Sequence, residues 1–394
     1  MHRIQQLLIV SHVPHFAHAG GIFAYGPYAR EIDIWAELFP RVVIAAPFRD
    51  EAPPPDALRF AQPNISIAPQ LQTGGMSVAS KFLQIIALPI HAWRLAKSMR
   101  HADAIHVRCP GNLGLLGCVI SPLFRRPRIA KYAGQWNTWE HEPLTYRLQK
   151  WLLRSNWWGA PVLVYGRWVN QPPHVVPFFT SVMDDRQMQR ASLAQPRMRN
   201  GALGVLFVGR LSQAKNVDVI LRAVAVLVRE QKHLEVTIVG DGPERASLET
   251  IATTEGIRPC VTFAGAVPQE RVFDFYEQAH VVVLASETEG WPKALSEGMA
   301  FAAVCIGSNR GLVPQMLADD RGLLVEPGSV PELASALRHV YNDPVAASRM
   351  AQAAAEWSRR FTLGEFSREL RRVLEDRMRM ILAQKPPTLV TRNA

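Results

Sequence analysis

Short runs of Val, Ile and Leu recur along this chain, each followed by a turn carrying Gly, Pro or charge and then by a stretch of helical spacing. In the first half the runs are Leu7 to Val10, Val42 to Ala46, Ile65 to Ala68, Ala104 to Val107 and Arg128 to Tyr132. In the second half they are Val205 to Val208, Leu234 to Val239, Val261 to Phe263, Val281 to Leu284, Val304 to Ile306 and Leu323 to Val325. Apolar runs this short fit strands buried on both faces, as in a parallel sheet. Helical spacing over Tyr25 to Phe39, Ser80 to Met99, Asn216 to Glu230 and Glu244 to Thr254 supplies the crossovers. Ser11 to Gly21, with His12, His15 and His18, reads as a loop. The pattern predicts an α/β chain of two Rossmann-like domains facing each other across a ligand-binding cleft. The expected boundaries are 1–182, a polar linker 183–203, a second domain 204–360, and 361–394 as a helix returning to the first domain with a loose tail.

Composition narrows the class. Of 394 residues 48% are apolar and 20% charged, as in ordinary globular proteins. Four cysteines, Cys109, Cys118, Cys260 and Cys305, form no close pair in sequence and no metal spacing, which suits free thiols in a reducing compartment. Leu7 to Val10 is too short for a signal peptide, and Phe82 to Trp93 and Leu113 to Phe124 are too short to span a bilayer. A cytoplasmic protein is expected. The net charge of +10 calls for an anionic partner, a membrane leaflet or a phosphorylated substrate. Nucleic acid is not expected, because no binding motif accompanies the charge. Within Tyr146 to Trp158, Arg147, Lys150 and Arg154 alternate with Leu148, Trp151, Leu152, Leu153, Trp157 and Trp158. This basic, aromatic helix either lies on a membrane face or is a core helix with snorkelling cations.

Chemistry concentrates where strands end. Val281 to Leu284 runs into Ser286-Glu287-Thr288-Glu289-Gly290-Trp291-Pro292, and Pro292 suits a first helical turn. Ligands of open α/β sheets bind at such strand ends, where free helix amides hold phosphate. Glu289 in the loop and Glu297 in the helix are placed to accept from sugar and ribose hydroxyls. Gly209-Arg210, with Lys215 a few residues on, offers two cations for a diphosphate. Gly240-Asp241-Gly242-Pro243-Glu244 is a tight strand-to-helix turn without the third glycine of a dinucleotide fingerprint. Gly265 ends another short strand. Gly20-Gly21 permits close backbone approach to phosphate. Each alone also reads as an ordinary turn or a surface charge.

Taken in order, the strand-Gly-Arg, Lys-Asn, Gly-Asp-Gly-Pro-Glu, Phe-Ala-Gly, Glu-x7-Glu and Gly-Leu-Leu-Val-Glu-Pro-Gly elements resemble the retaining GT-B glycosyltransferases of the GT4 type, the group 1 glycosyl transferases. The resemblance covers about Val205 to Ser329, and over the first half it rests on Gly20-Gly21 and the alternation. It implies that a nucleotide-sugar donor binds the second domain and a saccharide or lipid-linked acceptor the first, in bacterial polysaccharide or lipid-linked glycan synthesis. Arg210 and Lys215 would bind the pyrophosphate, and Glu289 with the amides of Gly290 and Trp291 would hold the donor sugar. Glu297 would take the ribose, Gly20 and Gly21 would face the phosphates, and Gly209, Gly242 and Gly265 would admit the nucleotide. No cofactor or metal is expected. Peripheral contact with the inner membrane is an expectation of the charge and the Trp-rich helix. Lys131-Tyr132-Ala133-Gly134-Gln135-Trp136 departs from the family in lacking a histidine near the donor sugar, and neither His106 nor His141 inherits that role by sequence position. The segment after Met299 also lacks the family's Gly-x-Pro. A nucleotide-sugar epimerase of the same fold and a non-catalytic nucleotide-sugar-binding scaffold are the competing readings.

Overall fold

The computed structural model describes residues 2–71, 78–140, 142–181, 183–197 and 201–382. It divides into two compact units: Met1–Thr180 together with the chain from Leu363 on, and Ser181–Thr362. In the first unit seven parallel strands form the centre. In spatial order they are Val175–Phe178, Val162–Tyr165, Arg128–Tyr132, Ala104–Cys109, Gln6–Val10, Arg41–Arg49 and Ile65–Gln70. Chain order runs outward in both directions from Gln6–Val10, so the sheet is doubly wound and reverses between that strand and Ala104–Cys109.

His15–His18 and Gly21–Tyr25 pair as an antiparallel hairpin, which Ala57–Arg59 extends. The stretch from Ser11 to Gly21 is therefore not a loop. Its two-residue turn has Ala19 and Gly20 at φ +46° and +70°, the double left-handed geometry that matches strand twist. The helix Gly26–Glu37 follows.

In the second unit the parallel order is Val261–Gly265, Leu234–Val239, Leu203–Val208, Val281–Leu284, Val304–Ser308 and Leu323–Val325. That is strand order 3-2-1-4-5-6 within the unit, with the reversal between Leu203–Val208 and Val281–Leu284. All four residues of Val281–Leu284 are buried, as a central strand covered on both faces requires. Val217–Arg229 buries Val217, Ile220, Leu221, Val224 and Leu227 on one stripe against the sheet.

The stretch 183–203, expected as a linker, carries the helix Asp185–Ser192. Its start is a capping box: Asp184 accepts from the Gln187 amide, and the Gln187 side chain accepts from the Asp184 amide. Arg190 anchors this helix to Glu277 at 2.6 Å and Asp274 at 2.7 Å. The helix Leu363–Met378 buries Phe366, Leu370, Val373 and Leu374 in the same core as Leu7, Trp35 and Phe178 of the first unit. Each such side chain contributes roughly 1.5–3 kcal/mol when fully buried. Cys109 and Cys118 do meet: their sulfurs lie 3.6 Å apart in the first unit's core, brought together by the strand-to-helix crossover.

Candidate functional site

The reversal in the second unit leaves the loops after Leu203–Val208 and Val281–Leu284 side by side, and four contacts stitch them. The Glu287 amide donates to the Ala214 carbonyl at 2.9 Å. Asn216 Nδ2 donates to the Ala285 carbonyl at 3.0 Å and to Glu287 Oε1 at 2.7 Å. Lys215 Nζ donates to Glu289 Oε1 at 2.6 Å. Asn216 sits at φ +50°, a left-handed conformation that Asn tolerates, and this turn aims Lys215 across the gap. Glu289 is 9% exposed, so its charge is held close to the lysine in a poorly solvated spot. Along the chain Lys215 and Glu289 read as residues with separate roles; in the folded unit they are partners.

Arg210 follows Gly209 at the same strand end and is exposed, with no ion-pair partner among the described residues. The loop that carries it is seated by backbone. The Leu211 amide donates to Asp241 at 2.9 Å, the Gly209 amide to Val239 at 3.0 Å and the Gly240 amide to Gly265 at 2.8 Å. Three strand ends are thus tied edge to edge. Gly242 makes the approach feasible, since a Cβ there would lie 2.2 Å from the Leu211 carbonyl oxygen. In this structure Gly242 accommodates protein backbone.

Pro292 is the N-cap, and the helix runs Lys293–Ala300. Glu297 lies inside it at 8% exposure. Burial, with the Glu297 carboxylate beside it, pushes the Tyr276 phenol well above its ordinary pKa. Trp291 is buried and its ring belongs to an aromatic cluster, 6.4 Å from Trp357 and 5.1 Å from Phe361. Gly290 is half-buried between Glu289 and Trp291. Gly20 is exposed in the hairpin turn, and Gly21 is covered by Arg59, whose Nε would be 2.6 Å from a Cβ there. At the reversal of the first unit, sequence reasoning missed Gly111, at φ +142°, packed against the His12 ring.

His106 is no substitute for the missing family histidine. It is fully buried on the central strand Ala104–Cys109, stacked on Trp35 at 4.1 Å, and burial holds its pKa down at about 3. His141 lies outside the described residues. Lys131 is also buried and bonds Glu31 at 2.8 Å, while Arg108 bonds the same carboxylate at 2.6 Å. Burial pushes the Glu31 carboxyl up, but the two cations outweigh it and hold the pKa near 2. This cluster is core scaffolding beneath helix Gly26–Glu37. Among the described residues no group of three His, Cys, Asp or Glu is placed to hold a metal ion.

A doubly wound unit with cations and a guarded carboxylate at its reversal point is built like a nucleotide-binding domain. Both units together have the GT-B fold of solved glycosyltransferases. Sucrose-phosphate synthase from Thermosynechococcus elongatus matches with a TM-score of 0.68 at 18% identity, over 94% of this chain and 98% of that one. Anabaena HepE (Alr3699) in complex with UDP matches with a TM-score of 0.66 at 16% identity, over 94% and 99%. Residues 189–357 match the family described as Glycosyl transferases group 1. Alpha-D-kanosaminyltransferase from Streptomyces kanamyceticus is 30% identical over 172 residues, which is 43% of this chain and 45% of that protein. The chain spans less than half the length of the curated relatives it matches.

Proposed function

We propose that the protein is a retaining, nucleotide-sugar-dependent glycosyltransferase of polysaccharide or lipid-linked glycan synthesis. The observation that carries this is the stitched pair of loops at the second unit's reversal point, with exposed Arg210 on one and the Lys215–Glu289 pair across the gap. Arg210 and Lys215 neutralise the leaving diphosphate, as preorganised cations do where charge develops. Glu289, held by Lys215, accepts from the donor sugar's hydroxyls, and Glu297 accepts from the ribose. The departing phosphate takes the acceptor's proton on the face it leaves, so no side-chain base is required near Ala133 and no resident metal is invoked. The HepE complex with UDP supports a uridine donor. Incubation with UDP-sugars and a saccharide acceptor should release UDP in step with glycosylated product, and Arg210→Ala should lower kcat/KM by about a hundredfold, the scale of one lost charge-stabilising group. Donor binding without product, with a competent acceptor present, would instead mark a binding protein; isomerised donor without acceptor would mark an epimerase.

The proposed location is cytoplasmic, peripheral on an anionic membrane. Among the described residues no helix is long and apolar enough to cross one. The first unit does expose Trp93, Leu123, Leu144, Leu148 and Trp151, each at 47% or more, on three helical segments that each contact the helix Asn112–Ile120. Exposed Lys97, Arg125 and Arg126 flank them. Apolar side chains rimmed by cations suit an interfacial surface of anionic lipid. Co-sedimentation with phosphatidylglycerol vesicles tests it.

A further inference from the structure

The helix Leu144–Arg154 buries Leu152 and Leu153 in the core and turns two further stripes away from them. Leu144, Leu148 and Trp151 form one exposed stripe at helical spacing. Arg147, Lys150 and Arg154 form the neighbouring stripe, and it borders a cavity of about 570 Å³ within the first unit. Thr138, Trp139 and Glu140 close the other side. That volume lies in the range of small-molecule sites.

Two of its three cations are fixed in place. Lys150 Nζ is paired with Glu142, donates to the Asn137 carbonyl at 3.1 Å and lies 5.0 Å from the Trp139 ring centroid. Arg154 stacks over Trp136 at 4.6 Å and donates to Gln171 Oε1 at 3.1 Å, an oxygen that also accepts from Trp136 Nε1 at 3.0 Å. Arg147 is half exposed and stands 3.8 Å from Glu142. Three cations against Glu140 and Glu142 leave a net charge of +1 (3 − 2) around a cavity walled by two indoles. Cations held before a ligand arrives cost little ordering entropy on binding. Guanidinium groups suit phosphate and carboxylate oxygens, and the indole faces offer flat apolar area for the C–H surface of a sugar ring.

We propose that this cavity is the acceptor subsite and that it takes a saccharide bearing a phosphate or carboxylate. The ring packs on Trp139 and Trp151, and the anion is held by Arg147 and Arg154. The acceptor role rests on the transferase function proposed above; binding of an anionic sugar here does not. The apolar stripe beside the cavity lets the same helix lie on a bilayer while an anionic sugar headgroup enters the pocket.

The test is calorimetric titration of the full chain with glucose 6-phosphate, glucuronate, neutral glucose and inorganic phosphate, without nucleotide. Glucose 6-phosphate or glucuronate should bind more tightly than either neutral glucose or inorganic phosphate. Arg147→Gln should weaken anionic-sugar binding about tenfold, the loss of one charge-assisted hydrogen bond. Trp151→Ala should weaken it as well. Both side chains are exposed enough for the fold to survive, which circular dichroism checks. Arg210→Ala should leave this binding unchanged while losing UDP, which separates failure of this subsite from failure of the donor reading. Silence of all four probes, equal binding by both pocket variants, or an Arg147 dependence seen only with anionic vesicles would overturn the proposal.

Discussion

At the scale of residues the pairing of Lys215 with Glu289 matters most. They are separated by 74 positions and meet at 2.6 Å, so neither acts alone. Removing Glu289 takes the carboxylate from the lysine, and removing Lys215 takes the ammonium from a nearly buried carboxylate. A double-mutant cycle of Lys215→Ala and Glu289→Ala, read as kcat/KM, should be non-additive by about 1–3 kcal/mol, the scale for contacting residues. Additive losses would mean two independent roles. Glu31 gives a second, pH-readable case. Its folded pKa, near 2, lies below the ordinary 4.5, so the unfolded chain takes up the proton first as acid is added. The stabilisation is fully present above about pH 4.5 and is lost as pH falls toward 2. Glu31→Gln should cost about 3–5 kcal/mol at neutral pH, because it strands Arg108 and Lys131, and should flatten that acid limb. An unchanged acid limb in urea melts would contradict the cluster's geometry. The motif residues at strand ends were legible because each is a local pattern. The Lys215–Glu289 and Glu31–Lys131 partnerships were not, because nothing local specifies a partner so far along the chain.

At the scale of elements, the parallel strands and their crossovers could be read from apolar runs alone. The hairpin His15–Tyr25 could not: its histidines and glycines look like loop, and its pairing depends on Arg41–Arg49 being long enough to receive Phe16. The helix Asp185–Ser192 buries only Met188 and Ala191, so its capping box was its stronger sequence signal. Helix Leu144–Arg154 has both a buried face and an exposed apolar one. Leu152, Leu153 and Lys150 are buried, the last against Glu142, while Leu144, Leu148 and Trp151 face outward. Replacing Arg147, Lys150 and Arg154 together would unpair buried Glu142 and test folding as much as lipid binding. The cleaner variant is Leu144→Ser with Leu148→Ser. It should reduce sedimentation with anionic vesicles at least severalfold without lowering thermal stability, since both side chains are already exposed. Undiminished sedimentation would remove this helix from any membrane contact.

At the scale of the whole molecule, the chain builds two doubly wound sheets. In each, strand order reverses beside the first strand, and the second unit places its charged loops at that reversal. The fold class followed from alternation, since few topologies satisfy parallel pairing with right-handed crossovers. The motifs of the proposed donor site were legible because they sit at consecutive strand ends. The pocket at Arg147 and Arg154 was only half visible, because Glu142, Trp136 and Gln171 lie on loops whose convergence no spacing announces. The central claim is that the second unit's reversal point binds a nucleotide-sugar, and a thermal-shift panel of UDP-, GDP- and ADP-sugars tests it most directly. The account predicts a rise in melting temperature with one nucleotide class, lost in both Arg210→Ala and Glu289→Ala. A flat panel with well-folded protein, or a shift that both variants keep, would contradict it.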